Sequence, residues 1–190
     1  MVGSLRAETV KRAFTVREYH RMGEAGILRE DDRTELIDGE IFRMPPIGSP
    51  HAACVDRLTA LTTRALGPRV IVRVQNPIVI GRHSEPQPDL VLLRPRDDFY
   101  AARHPGPDDV LWLIEVADTS GQFDRMTKFP LYARGGIREA WVVDLRRQIV
   151  EVHRGPALRG YRTQRAVERG DRVRPLAFPR MAFAVGAILG

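Results

Sequence analysis

Apolar positions fall in short blocks whose spacing switches between helical and extended periods along the chain. Thr15-Val16-Arg17-Glu18 has the form of a capping box and predicts a short helix ending near Gly23 or Gly26. Thr34 to Ile37 and Glu40 to Met44 are β-prone runs joined by Asp38-Gly39, a two-residue hairpin signal. Pro45-Pro46 stops the second run, and Ser49-Pro50 reads as a cap and first turn for the next helix. Cys54, Val55, Leu58, Leu61, Ala65 and Leu66 recur at helical spacing until Gly67-Pro68 closes the element.

The middle of the chain is β-rich. Val70 to Val72 and Pro77 to Ile80 read as one interrupted strand or two short ones, and Asp89 to Leu93 as a nearly all-apolar, central strand. A polar, proline-rich loop from Arg94 to Asp109 precedes a strongly apolar strand, Val110 to Ala117, that carries one carboxylate, Glu115. Gly121 to Arg134 reads as a helix that Pro130 kinks or shortens. Ala140 to Val143 and Gln148 to His153 form a second hairpin around Leu145 to Arg147, with further strands near Tyr161 to Val167 and a short apolar C-terminal piece. Strands flanking a helix predict an α/β sheet with at least one parallel crossover.

Composition narrows the class. With 190 residues, no repeat and no low-complexity linker, the chain suits one domain spanning 15–190 behind a tail at 1–14. Hydrophobic residues at 43% and charged residues at 28% exclude a disordered or fibrous chain. No apolar run is long enough for a membrane helix, and the basic residues of Met1 to Thr15 are not followed by a secretory core. Cys54, the single cysteine, fits a reducing cytoplasm. The net charge of +6 favours a polyanionic partner such as DNA or RNA. Of the 30 basic residues only Lys11 and Lys128 are lysine. A lysine kept in so arginine-rich a chain marks a position where a compact, pKa-adjustable ammonium does what a guanidinium does not.

Three residues carry candidate chemistry: Asp89 after Pro88, Glu115 within an apolar strand, and Lys128 thirteen residues later. A buried carboxylate needs a cation, and two on neighbouring strands raise each other's pKa unless a divalent ion lies between them. Oxygen ligands suit Mg²⁺ or Mn²⁺, which retain waters able to attack a phosphodiester, while a nearby lysine orients the water or offsets transition-state charge. Structural readings stand beside these: Asp89 starting a strand after a turn, Glu115 paired with an arginine, Lys128 in a solvated pair with Asp124. Taken together, in a lysine-poor chain, the three favour catalysis. His51 at a helix start is a candidate phosphate contact or a packing residue, Tyr132 a packing residue, and His83 and His104 surface residues without metal-ligand spacing. The Arg94/Arg96 and Arg146/Arg147 clusters read as solvated, with DNA contact as a second reading.

Pro88-Asp89, Glu115-Val116-Ala117 and Lys128 resemble the PD-(D/E)XK nuclease superfamily with its lysine displaced. A closer resemblance is to a branch labelled restriction endonucleases or a domain of unknown function. It rests on Glu35-Leu36-Ile37-Asp38-Gly39-Glu40, Met44-Pro45-Pro46, Ser49-Pro50-His51, Gln87-Pro88-Asp89-Leu90, Ile114-Glu115-Val116, Asp124-Arg125, Lys128, Leu131-Tyr132-Ala133, Gly136-Ile137 and Glu139 to Asp144. The resemblance implies a restriction-endonuclease-like core, a mixed β-sheet flanked by helices, behind the N-terminal hairpin. It also implies Asp89, Glu115 and the Val116 carbonyl as ligands of Mg²⁺ or Mn²⁺, and Lys128 as the catalytic lysine in place of position 117, which is Ala. Glu35 joins the site or serves the hairpin. The implied activity is metal-dependent endonucleolytic hydrolysis of nucleic acid, DNA in particular, and a homodimer would suit cutting two strands. A nucleic-acid-binding or regulatory module with little activity is the alternative, and a purely structural role for the carboxylates a third reading.

Overall fold

The computed structural model describes residues 11–29, 31–118 and 123–190, with the side chain of residue 124 left aside. Helix α1 (Val16–Glu24) begins at the capping box: Thr15 Oγ1 accepts the Glu18 amide, and Glu18 accepts the Thr15 amide in return. Strands β1 (Thr34–Ile37) and β2 (Glu40–Arg43) pair antiparallel through Asp38 and Gly39, both at positive φ, as a tight hairpin turn requires. A Cβ on Gly39 would lie 2.5 Å from that of Ala13, so this glycine also admits a close backbone approach.

Helix α2 (Ser49–Leu66) turns Cys54, Val55, Leu58, Thr62 and Leu66 inward. Its N-cap is Gly48 rather than Ser49: Gly48 keeps extended backbone while Ser49 is already helical, and no side chain caps the end. Six strands form the main sheet in the order β3 (Ile71–Val74), β4 (Leu90–Leu93), β5 (Val110–Ala117), β6 (Glu139–Asp144), β7 (Ile149–Ala157), β8 (Gly160–Glu168). Every pairing is antiparallel except β5 with β6, whose crossover runs through a π-helical turn at Asp124–Lys128 and helix α3 (Phe129–Arg134). The fold is the mixed α/β sheet flanked by helices that the sequence predicts.

Period-two alternation divides the core between the two faces. Leu90, Leu92, Trp112, Ile114, Val116, Trp141 and Val143 face α2 and the C-terminal helix α4 (Val185–Leu189). Val91, Leu93, Leu113, Ala140 and Val142 face α3, with Phe129, Leu131 and Tyr132 packed on them. Covering both faces makes β4 and β5 apolar throughout, and a polar residue within them stands out. Short strands β9 (Arg172–Val173) and β10 (Phe183–Ala184) pair separately.

Several expectations are corrected. Pro77 to Ile80 is not a strand: the amides of Ile78, Val79 and Ile80 bond to the carbonyls of Pro86, Pro105 and Ser84, so the segment folds back on loops. Pro130 lies in the first turn of α3 directly after the π turn, and the regular α-helix is shortened to Phe129–Arg134, one of the two outcomes expected of it. Gly121 and the Asp124 side chain, which the predicted helix and ion pair involve, lie outside the described residues, as does the tail over 1–10. Arg147 is not simply solvated, because it reaches the buried Glu151 at 2.5 Å. Among the described residues no helix is long and apolar enough to cross a membrane.

Candidate active site

Leu90 opposes Ile114 across the antiparallel β4–β5 pair, so Asp89, one residue earlier, comes opposite Glu115 on the face that α3 covers. The Asp89 amide donates to Glu115 Oε2 at 3.2 Å, and the Val116 amide donates to Asp89 Oδ2 at 2.9 Å. The Ala117 carbonyl accepts from Leu145 on the β6 side. By the alternation of an extended strand, the Val116 carbonyl faces the β4 side, where Asp89 lies.

Lys128 leaves the π turn and is 2% exposed, which overturns its reading as a solvated helix lysine. Its Nζ donates to Glu35 Oε1 at 3.0 Å and stands 3.4 Å from Glu115 Oε1. A lysine so buried is paired out of necessity. Tyr132, one helical turn on, donates its hydroxyl to Glu115 Oε1 at 2.5 Å. Among the described residues Glu115 pairs with a lysine and a phenol rather than with the arginine that the structural reading supposed. Glu35 is carried by the buried strand β1, whose Ile37 packs with the α3 face, so the hairpin brings a third carboxylate to the pocket. Among the described residues its Oε2 is buried without a hydrogen bond.

Environment separates the carboxyls. Burial pushes Glu35 above the ordinary carboxylate value, and Lys128 only partly opposes it. Burial acts on Asp89 too, but the bond and charge of His51, the Val116 amide and Lys128 outweigh it and hold Asp89 below its ordinary value. His51, on the first turn of α2, places Nε2 2.9 Å from Asp89 Oδ2, and Gln75 donates to Asp89 Oδ1 at 3.2 Å. The surrounding cleft is lined by Arg33, Met44 to Gly48, His51, Gln87 and Asp118, so the amino end of α2 opens into it.

The structure thus brings together all four side chains predicted from sequence, Glu35, Asp89, Glu115 and Lys128. The oxygens of three carboxylates, with Glu35 Oε2 buried and without a hydrogen bond among the described residues, and a carbonyl on the same side fit a hard divalent cation. Sequence reasoning missed Tyr132 as a polar member, and Gln75 and Asp118 altogether. The helical spacing of Tyr132 from Lys128 was the available signal for the first.

A family model described as Uma2, putative restriction endonuclease, matches residues 16–186. The chain belongs to the Uma2 family. Among solved structures, a putative nuclease belonging to DUF820 from Anabaena variabilis ATCC 29413 superimposes with a TM-score of 0.72. That similarity spans 93% of this chain and 97% of the other at 15% sequence identity, and it supports the restriction-endonuclease-like fold. No curated protein matches. The match of this Uma2 chain includes both the hairpin that bears Glu35 and the crossover that bears Lys128.

Proposed function

We propose that this Uma2 protein is a metal-dependent endonuclease that hydrolyses phosphodiester bonds of DNA. The observation that carries this reading is the meeting of Asp89 and Glu115 on adjacent strands with a buried lysine between Glu115 and Glu35. Asp89, Glu115 and the Val116 carbonyl would hold Mg²⁺ or Mn²⁺, with Glu35 beside them. When bound, such an ion polarises the phosphate and offsets the charge that builds on it.

The chain's own residues supply the rest. His51 and the Val116 amide keep Asp89 ionised and fixed. Tyr132 fixes the rotamer of Glu115. The Lys128 ammonium is placed to orient the attacking water and to counter negative charge as that water's oxygen bonds to phosphorus and the ester P–O bond breaks. The positive end of the α2 dipole opens into the cleft and favours a phosphate there. Net charge of +6 supports a polyanionic substrate.

The test is cleavage of plasmid, single-stranded DNA and RNA with Mg²⁺, Mn²⁺ or chelator, for wild type, Glu115→Ala and Lys128→Ala, each checked for folding by circular dichroism. Metal-dependent cleavage of DNA that both substitutions abolish is expected. A folded wild type that cleaves none of the substrates, or variants that cleave equally well, would sink the proposal in favour of a binding module.

A further inference from the structure

Away from the carboxylate pocket, three other potential metal ligands converge. His20 lies on α1, Glu85 on the loop after β3, and His104 on the loop before β5, separated by up to 84 residues of sequence. One donor atom from each lies within 4.8 Å of the other two. His20 Nε2 stands 2.7 Å from Glu85 Oε2, and the His20 and His104 rings are 6.2 Å apart at 73° to one another. His104 lies on a surface loop, as its sequence context suggested, but the fold brings it beside two other potential ligands that sequence spacing did not reveal. Glu85 is 95% buried while the His20 side chain is 45% exposed, so the cluster has a charged floor and an opening to solvent.

We propose that His20, Glu85 and His104 form a second metal site, selective for Zn²⁺ or a similar transition-metal ion over Mg²⁺. Two imidazoles and one carboxylate are a donor set for such ions, and Mg²⁺ prefers oxygen alone. Ligands on a tetrahedral Zn²⁺ at ~2.0–2.1 Å stand about 3.4 Å apart, so the three close on an ion by side-chain movement of about 1 Å. A water from the adjoining groove, which Tyr19, Asp32 and Gln87 help line, completes the coordination.

The site would act as a clip. The Glu85 amide donates to the Leu36 carbonyl at 2.7 Å in an isolated bridge, and Leu36 directly follows Glu35. An ion holding Glu85 to α1 and to the His104 loop would brace the strand that presents Glu35 to the catalytic pocket. Two metals would then have separate tasks: one structural and nitrogen-bound, the other catalytic and oxygen-bound.

The test uses the full chain, stripped with chelator and titrated with Zn²⁺ and Co²⁺. Wild type should bind one equivalent of Zn²⁺ more than either His20→Ala or His104→Ala, and Co²⁺ should give the intense visible absorption of a tetrahedral site. Glu115→Gln should keep that absorption, which separates this site from the carboxylate pocket whether or not the protein cleaves DNA. Zn²⁺ at about 100 times its Kd should raise the Tm of wild type by roughly 5 to 10 °C, an increase lost in His104→Ala. Because His104 is on a loop, circular dichroism and the metal-free Tm establish that its variant folds, and Glu85→Gln provides an independent variant. The proposal is overturned if wild type and His104→Ala bind the same number of equivalents, or if Glu115→Gln abolishes the Co²⁺ spectrum.

Discussion

Replacing Lys128 with Met keeps a flexible side chain of similar length in the pocket and removes its charge. In wild type the ammonium stands 3.0 Å from Glu35 and 3.4 Å from Glu115, and its side chain is 3% exposed. With an effective dielectric of about 20, each contact is worth about 5 kcal/mol of direct attraction, much of it offset by the cost of burying the lysine. Removing one partner of such a buried group costs about 3–5 kcal/mol, because the remaining charges lose their compensation. In a domain of this size that lowers Tm by roughly 6 to 20 °C in chelator. Glu35 already lies above its ordinary value of 4.5, and losing Lys128 raises it further, so the folded variant holds its proton to a higher pH than the unfolded chain does. The deficit should therefore grow as pH rises from about 4.5 and shrink in acid. Mg²⁺ would replace the missing charge: at 100 times its Kd it returns about 2.7 kcal/mol, a larger relative gain for the variant than for wild type. Differential scanning calorimetry with and without Mg²⁺, over a pH series, measures each quantity. A Lys128→Met protein as stable as wild type in chelator at pH 8 would refute this account of the lysine.

Tyr132→Phe removes the hydroxyl bond to Glu115 and should cost about 1.5–3 kcal/mol while lowering cleavage, measured by urea denaturation beside plasmid nicking. His51→Ala frees one side of Asp89 and should weaken Mg²⁺ binding, read as a higher Mg²⁺ concentration for half-maximal cleavage. Burial tends to raise the Glu151 carboxyl, but His153 and the Arg125 and Arg147 guanidinium groups hold it at about 2. Its stabilisation is present above about 4.5 and lost as pH falls towards 2, so Glu151→Gln should lower stability at neutral pH and flatten the acid limb of the Tm profile. Gly39→Ala meets both a positive φ and the Ala13 side chain, and should destabilise by at least about 1–3 kcal/mol in thermal unfolding.

What the sequence discloses is what short-range chemistry controls. Thr15 and Glu18 cap a helix three residues apart, and Asp38-Gly39 closes a hairpin with its own backbone, so both are legible locally. The all-apolar strand around Glu115 announces a buried carboxylate, and the scarcity of lysine singles out Lys128. Tyr132 is different: whether its hydroxyl meets Glu115, seventeen residues back, depends on the phase with which α3 docks, and no local preference sets that phase. The meeting of His20 with His104 depends on two loops closing over α1, a tertiary event. Pro77 to Ile80 has strand-like composition yet spends its amides on the carbonyls of other loops, a competition that only the folded chain decides.

The π turn that carries Lys128 has a consequence for insertions and deletions in this segment. Such a turn is equivalent to an α-helix with one residue added, and it winds by less than the ~100° per residue of an α-helix. The extra width separates the directions of two cations three positions apart. Arg125 reaches Asp144 and Glu151 beside β6 and β7, while Lys128 reaches Glu35 and Glu115. Met126 between them is 72% exposed and packs little. Deleting that one residue would let the segment return to a regular helix with better backbone geometry, but it would leave Arg125 and Lys128 two positions apart, about 200° round the axis and on opposite faces. The product would be a more ordinary crossover that no longer serves both anionic clusters, so the irregular turn trades local helical stability for a divided reach.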